Sequence, residues 1–261
     1  MREDLIPVLK TVERLGKTHQ QTYWVRPDEL RAAVRKTGDG SEAFAMAGGN
    51  PAQITKIVAE WSTHTGTKEA LRLRGAAVAL VHGDNPEALA KETEFAEKLA
   101  HHRAGKERMG AAGTKAHVDG ATEAFARGLT DPQVHANLAA MAAVSQAMYP
   151  DEEEVTVYRG VYGIPGEQIR EEWWRLSKGN LEAEGEMEIS VGVLSSYSES
   201  RAAAEKIAYG EGIVFELKVP RSAIVMSHRV PGTTEVGWEG EEEVVALSHG
   251  TIKVPLSKVK V

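Results

Sequence analysis

Three short stretches of this 261-residue chain combine residue types capable of chemistry. Val157-Tyr158-Arg159-Gly160 ends an alternating run with a guanidinium, followed by a glycine whose bare backbone lets a ligand approach closely. Leu194-Ser195-Ser196-Tyr197-Ser198 carries hydroxyls two residues apart, and on a strand Ser196 and Ser198 project from one face. Glu241-Glu242-Glu243-Val244-Val245 sets the carboxylates of Glu241 and Glu243 on one face in the same way. Each stretch alone has an ordinary reading: a strand end, a pair of serines, a solvated acidic turn. Their joint occurrence in this order is harder to dismiss, with 37 residues from Arg159 to Ser196 and 45 from Ser198 to Glu243.

The elements that must position these residues follow from periodicity. After Pro150 the pattern is strand-like, with β-rich runs at 155–158, 189–194, 213–219, 243–247 and 251–254, and short helices at 166–177 and 200–209. Ahead of Pro150 it is helical, over 3–15, 27–34, 51–61, 68–81 and 85–100, then 121–128 and 132–148. Between them, residues 101–120 are Gly-rich and basic and lack apolar periodicity, which reads as a linker or exposed loop. The expected division is a helical N-terminal domain of unassigned role over 1–105, a linker over 106–120 and a second domain over 121–261. Strands mixed with helices at irregular spacing make the class α+β.

Composition narrows the function classes. An apolar share of 42% with 26% charged residues supports an ordinary globular core. The absence of cysteine excludes a disulfide scaffold, a thiolate zinc site and a cysteine nucleophile. No apolar run approaches the roughly 18 residues of a membrane helix, and Met1-Arg-Glu-Asp-Leu-Ile-Pro lacks a signal-peptide layout. A soluble protein without a membrane partner is expected, cytoplasmic or delivered without a classical leader. The net charge of −7 divides unevenly, +2 over residues 1–120 and −9 over 121–261, so the acidic half disfavours nucleic acid as the main partner. The phosphate loop, the Gly-x-Ser-x-Gly elbow and the His-Glu-x-x-His helix are absent, and Gly160, Gly163 and Gly166 do not fit a dinucleotide fingerprint. His101-His102 reads as a solvated pair and Trp173-Trp174 as a helix face packed on the sheet.

In residue order and spacing, the three stretches resemble the Arg-Ser-Glu class of mono-ADP-ribosyltransferases, which includes bacterial toxins, phage enzymes and vertebrate ecto-enzymes. The resemblance covers about residues 120–261. It extends to Ala204, Ile207 and Ala208 after Ser196-Tyr197-Ser198, to the strands that follow, and to an Ala-rich helix bearing Gln146 before Val155. Tyr197 stands where the family has Thr, and Ile207 where it has Phe. A Ser195-Ser196 register is the alternative; the Ser196 and Ser198 register is preferred because only it aligns Ala204 and Ile207.

The resemblance implies a core of two packed, mainly antiparallel sheets with flanking helices, NAD as co-substrate and no metal. By similarity Arg159 binds NAD, a planar two-pronged donor suited to its diphosphate, and the backbone of Gly160 holds the nicotinamide carboxamide. Ser196 and Ser198 organise the site, and Glu243 is catalytic, its carboxylate on the ribose 2′-hydroxyl stabilising an oxocarbenium-like transition state. Glu241, two residues earlier, faces the acceptor, and glutamate there points to arginine on a protein target. Glu242 faces solvent, and Trp238 resembles the aromatic of the substrate-recognition turn. The alternatives are the same NAD site acting on water or nucleic acid, and an inactive fold serving interaction. The helical region carries no interpretable motif and leaves a partner, a carrier or simple packing open.

Overall fold

The computed structural model describes residues 25–63, 66–209, 212–232 and 242–260. The expected helix at 3–15 lies outside the described residues. The chain is α+β, with helices and two antiparallel sheets.

Capping explains where the early helices begin. In α1 (Pro27–Thr37) proline occupies the first turn and the Glu29 carboxylate accepts the Arg26 backbone amide at 3.1 Å. After the short α2 (Ser41–Met46), α3 (Pro51–Thr63) starts behind Asn50, whose side chain accepts from the Gln53 amide at 3.2 Å. Thr67 caps α4 (Lys68–His82), Asn85 caps α5 (Pro86–Lys106) and Asp131 caps α7 (Pro132–Ala147). The apolar stripe of α3 is buried at Ile54, Ile57, Val58 and Trp61.

The stretch expected as a linker over 106–120 is instead mostly helix. Helix α5 continues to Lys106, and α6 (Ala111–Thr130) begins after a turn at 107–110. The apolar face here is built from small residues, Ala96, Ala100 and Ala104 on α5 and Ala121 and Ala124 on α6, which register weakly as hydrophobic periodicity. Two glycines outside that stretch have a packing role. A Cβ on Gly128 of α6 would lie 2.0 Å from the Arg72 carbonyl oxygen, and one on Gly75 of α4 would lie 2.2 Å from that of Phe125. Helices α4 and α6 therefore meet backbone against backbone.

The larger sheet has the order β5-β6-β3-β1-β4-β8, formed by β1 (Glu154–Val161), β3 (Leu194–Ser198), β4 (Ile213–Pro220), β5 (Ile224–Ser227), β6 (Glu243–Leu247) and β8 (Val259–Lys260). The second sheet pairs β2 (Glu186–Ser190) with β7 (Thr251–Pro255). Helix α8 (Gly163–Ser177) follows β1, and α9 (Arg201–Ile207) follows β3. The strand expected over 189–194 is divided: β2 ends at Ser190 and β3 starts at Leu194, each in a different sheet. The break at 191–193 is held from outside, by Glu92 of α5 accepting the Val193 amide at 3.2 Å.

Pairing across the larger sheet is uneven. Strands β1 and β4 pair along their full length, from Glu154↔Pro220 to Val161↔Ile213, and β3 pairs with β6 from Leu194↔Leu247 to Ser198↔Glu243. Strands β1 and β3 share one register pair, Tyr158↔Ser198. The sheet is thus two three-stranded halves joined at one point. Helix α7 fastens one half: Ser145 Oγ donates to the Val225 carbonyl, and Gln146 Nε2 to those of Ser222 and Ile224, each at 3.1 Å. Buried residues from helices and strands, among them Trp61, Leu71, Val157, Leu194 and Val245, form one hydrophobic cluster. Among the described residues no helix is long and apolar enough to cross a membrane.

Candidate functional site

The seam between β1 and β3 opens into a cleft of about 260 Å³. Arg159, Gly160, Ser196, Ser198 and Glu243 all line it, with Tyr158, Tyr197 and Ile207 completing its walls. Five of the seven residues singled out in the sequence therefore share one cavity. Trp238 and Glu241 lie outside the described residues.

Each side chain is placed by its strand. Arg159 sits on β1 opposite Phe215, where it reaches across the seam: Nη1 donates a long 3.4 Å hydrogen bond to the Ser196 carbonyl, and the guanidinium carbon lies 5.6 Å from the Tyr197 ring centroid. Tyr197 is 5% exposed, and burial pushes its phenol pKa up despite the neighbouring Arg159 cation. Ser198 stands directly opposite Glu243 in the β3–β6 ladder, so the two share a face, and Ser196 joins them by the two-residue period. Ser198 Oγ accepts the Ser200 amide at 2.9 Å, and the Ser200 hydroxyl in turn caps α9.

Gly160 has a reason to be glycine that does not involve a ligand. A Cβ there would stand 2.0 Å from the Ala204 carbonyl oxygen, so α9 packs directly on the β1 backbone. Ser195, the alternative first serine, is 4% exposed and donates to the Gly192 carbonyl at 3.1 Å, which leaves Ser196 as the serine that lines the cleft.

Two contributors were not singled out by sequence reasoning. Trp61, on α3 and 3% exposed, donates its indole N–H to Ser196 Oγ at 3.1 Å. In sequence it appeared only as part of an apolar stripe; the signal available was that a buried indole needs an acceptor. Glu199, the residue after β3, is the centre of a network. Its carboxylate accepts from the Tyr149 hydroxyl, from Arg229 Nη2 at 2.6 Å and from His228 Nε2 at 3.1 Å. Burial alone would raise its pKa, but these bonds, led by His228 and Arg229, outweigh it and hold the carboxyl down at about 2. No local pattern marked Glu199, because its partners come from α7's far end and from beyond β5.

The same network fixes the entrance to β6. The Glu199 amide donates to the Glu242 carbonyl at 3.0 Å and the His228 amide to that of Glu243 at 2.8 Å. Glu242 adopts a left-handed φ of 44°, uncommon for a residue with a side chain, and is exposed. This turn delivers Glu243 to the cleft while its neighbour faces solvent.

Elsewhere, Trp173 is 1% exposed and donates to the Leu256 carbonyl at 3.0 Å, whereas Trp174 is 54% exposed, so only the first packs as a buried face. His101 and His102 are exposed residues of α5. Among the described residues no group of three or more metal-ligating side chains is assembled. The cleft offers a guanidinium, hydroxyls and a carboxylate around a partly apolar wall, a set suited to a ligand that is anionic at one place and hydroxylated at another. No protein-family model, curated protein or solved structure matches the chain.

Proposed function

We propose that this protein is a mono-ADP-ribosyltransferase of the Arg-Ser-Glu class, transferring ADP-ribose from NAD to an arginine of a protein acceptor and releasing nicotinamide. One observation carries the reading: Arg159, Ser196, Ser198 and Glu243, far apart in sequence, line the same cleft where the sheet is least paired. In this reading NAD supplies the ribose and the nicotinamide leaving group. Arg159 binds the diphosphate with its planar donor fork. Ser196 and Ser198 keep the polar wall of the cleft in register with Glu243. The Glu243 carboxylate holds the ribose 2′-hydroxyl and stabilises positive charge as it develops on the ribose. Glu241, with Trp238 nearby, would meet the acceptor guanidinium; that part of the reading rests on the Glu-x-Glu motif alone.

The test is nicotinamide release from NAD by the wild type and by Glu243→Gln, with and without cell lysate. Glu243→Gln is expected to lower release by about 100-fold or more with its thermal midpoint unchanged, since one charge-stabilising group in a closed site is commonly worth that much. Lysate should raise release by the wild type if a protein accepts the ADP-ribose. Equal release by both proteins would remove Glu243 from catalysis, and lysate-independent release would favour water as acceptor.

A further inference from the structure

Trp61 lies on a helix in the part of the chain that carries no motif, 135 positions from the serine it touches. Its indole nitrogen can only donate, whereas a serine hydroxyl both donates and accepts. The 3.1 Å bond from Trp61 Nε1 therefore occupies an acceptor site on Ser196 Oγ and leaves the hydroxyl proton to be given elsewhere. Ser196 lines the cleft, so the cleft is where that proton has an open direction.

Helices α3 to α5 grip the same few residues at further points. Arg74 Nη2 donates to the Leu194 carbonyl at 2.8 Å, Glu92 Oε1 accepts from the Val193 amide at 3.2 Å, and the Arg74 guanidinium lies 5.9 Å from the Trp61 ring centroid. A Cβ on Gly192 would fall 2.2 Å from Arg74 Nη1, so the backbone there is shaped to let the guanidinium in. The start of β3 is thus held from the helical side while Arg159 touches Ser196 from the strand side.

We infer that Trp61 is a positioning residue of the proposed reaction: by donating to Ser196 it fixes that hydroxyl as a donor into the cleft, toward a carbonyl or carboxylate oxygen. The inference rests on the proposed activity, and the helical region becomes part of the site rather than an accessory to it.

A double-mutant cycle in the full chain tests it, with NAD turnover read as kcat and KM. Trp61→Phe keeps an aromatic ring in the core and removes the donor. It should lower kcat/KM for nicotinamide release by about three- to tenfold in the wild-type background, and by less than about twofold beside Ser196→Ala, because the two changes remove one interaction. Equal losses in both backgrounds would mark Trp61 as structural only and overturn the inference.

The bond can also be read with Trp61 intact. One of the five tryptophan indole N–H resonances should move in Ser196→Ala; if none moves, the inference fails even where Trp61→Phe does not fold. A wild type that releases no nicotinamide above the Glu243→Gln level would instead sink the proposed function, and the role in turnover with it.

Discussion

At the scale of single residues, Glu199 shows how a carboxylate becomes structural. It is nearly enclosed, yet it stays ionised because the Tyr149 hydroxyl, His228 and Arg229 converge on it, and the Arg229 guanidinium also stacks 4.0 Å from the Tyr149 ring centroid. Its folded pKa of about 2 lies below the ordinary 4.5, so the unfolded chain takes up the proton first as the solution is acidified. The stability that Glu199 contributes is complete above about pH 4.5 and is lost as pH falls toward 2. Glu199→Gln should cost about 1–3 kcal/mol at neutral pH, with the gap from wild type closing over that acid window. Denaturant midpoints measured at pH 7, 4 and 3 would show it; a gap independent of pH would mean the carboxylate is not held as described. Arg159, Ser196, Ser198 and Glu243 were legible in the sequence because strand alternation and residue type are local properties. Glu199 and Trp61 were not, since each acquires its role from partners that only the folded chain brings near.

Among the elements, the least legible were those built from alanine and glycine. The apolar face of α5 and α6 carries too little hydrophobic bulk to stand out, and Gly105, Gly113 and Gly120, which suggested a loop, are simply accommodated within those helices, while Gly75 and Gly128 are what allow α4 and α6 to approach. The division of the expected strand at 191–193 had a related cause: it depends on Arg74 and Glu92, a buried pair 3.6 Å apart that grips the connecting backbone. Burial lowers the Arg74 pKa to about 10 and raises that of Glu92, and the attraction between them only partly offsets this. Such a pair is costly to break from one side. Arg74→Met should destabilise the protein by about 3–5 kcal/mol, while Arg74→Met with Glu92→Met should recover at least half of that loss, because no buried charge is then left alone. Chemical denaturation of the three proteins decides it; a double variant as unstable as the single would show that the backbone bonds dominate.

For the whole molecule, helices and sheet behave as one packed unit, and α4 touches the strand region again at its far end. His82, its last residue, lies 5.8 Å from His249 in the turn between β6 and β7, ring centroid to centroid. Burial lowers both pKa values below 6.5, and His82 lowers that of His249 further. A histidine with a depressed folded pKa is kept neutral by the fold, so the unfolded state binds protons first as pH falls below about 6.5 and stability declines. Thermal midpoints should therefore drop between pH 7 and 5.5, and less steeply in His82→Asn or His249→Asn; parallel curves would rule out this pair as the origin.

The single joint between β1 and β3 also bears on how this molecule meets its neighbours. A strand with unmatched amides and carbonyls facing water invites another chain to add to it. At the outer margins of the larger sheet β5 has four residues, and β8 pairs with only Val214 and Phe215 of the eight-residue β4. A second stretch of incomplete ladder runs along the seam, beside the cleft lined by Tyr158, Tyr197 and Ile207. Backbone donors and acceptors along a margin beside a cleft can serve a small guest, so the kind of gap that invites a foreign strand at an open edge can serve recognition here.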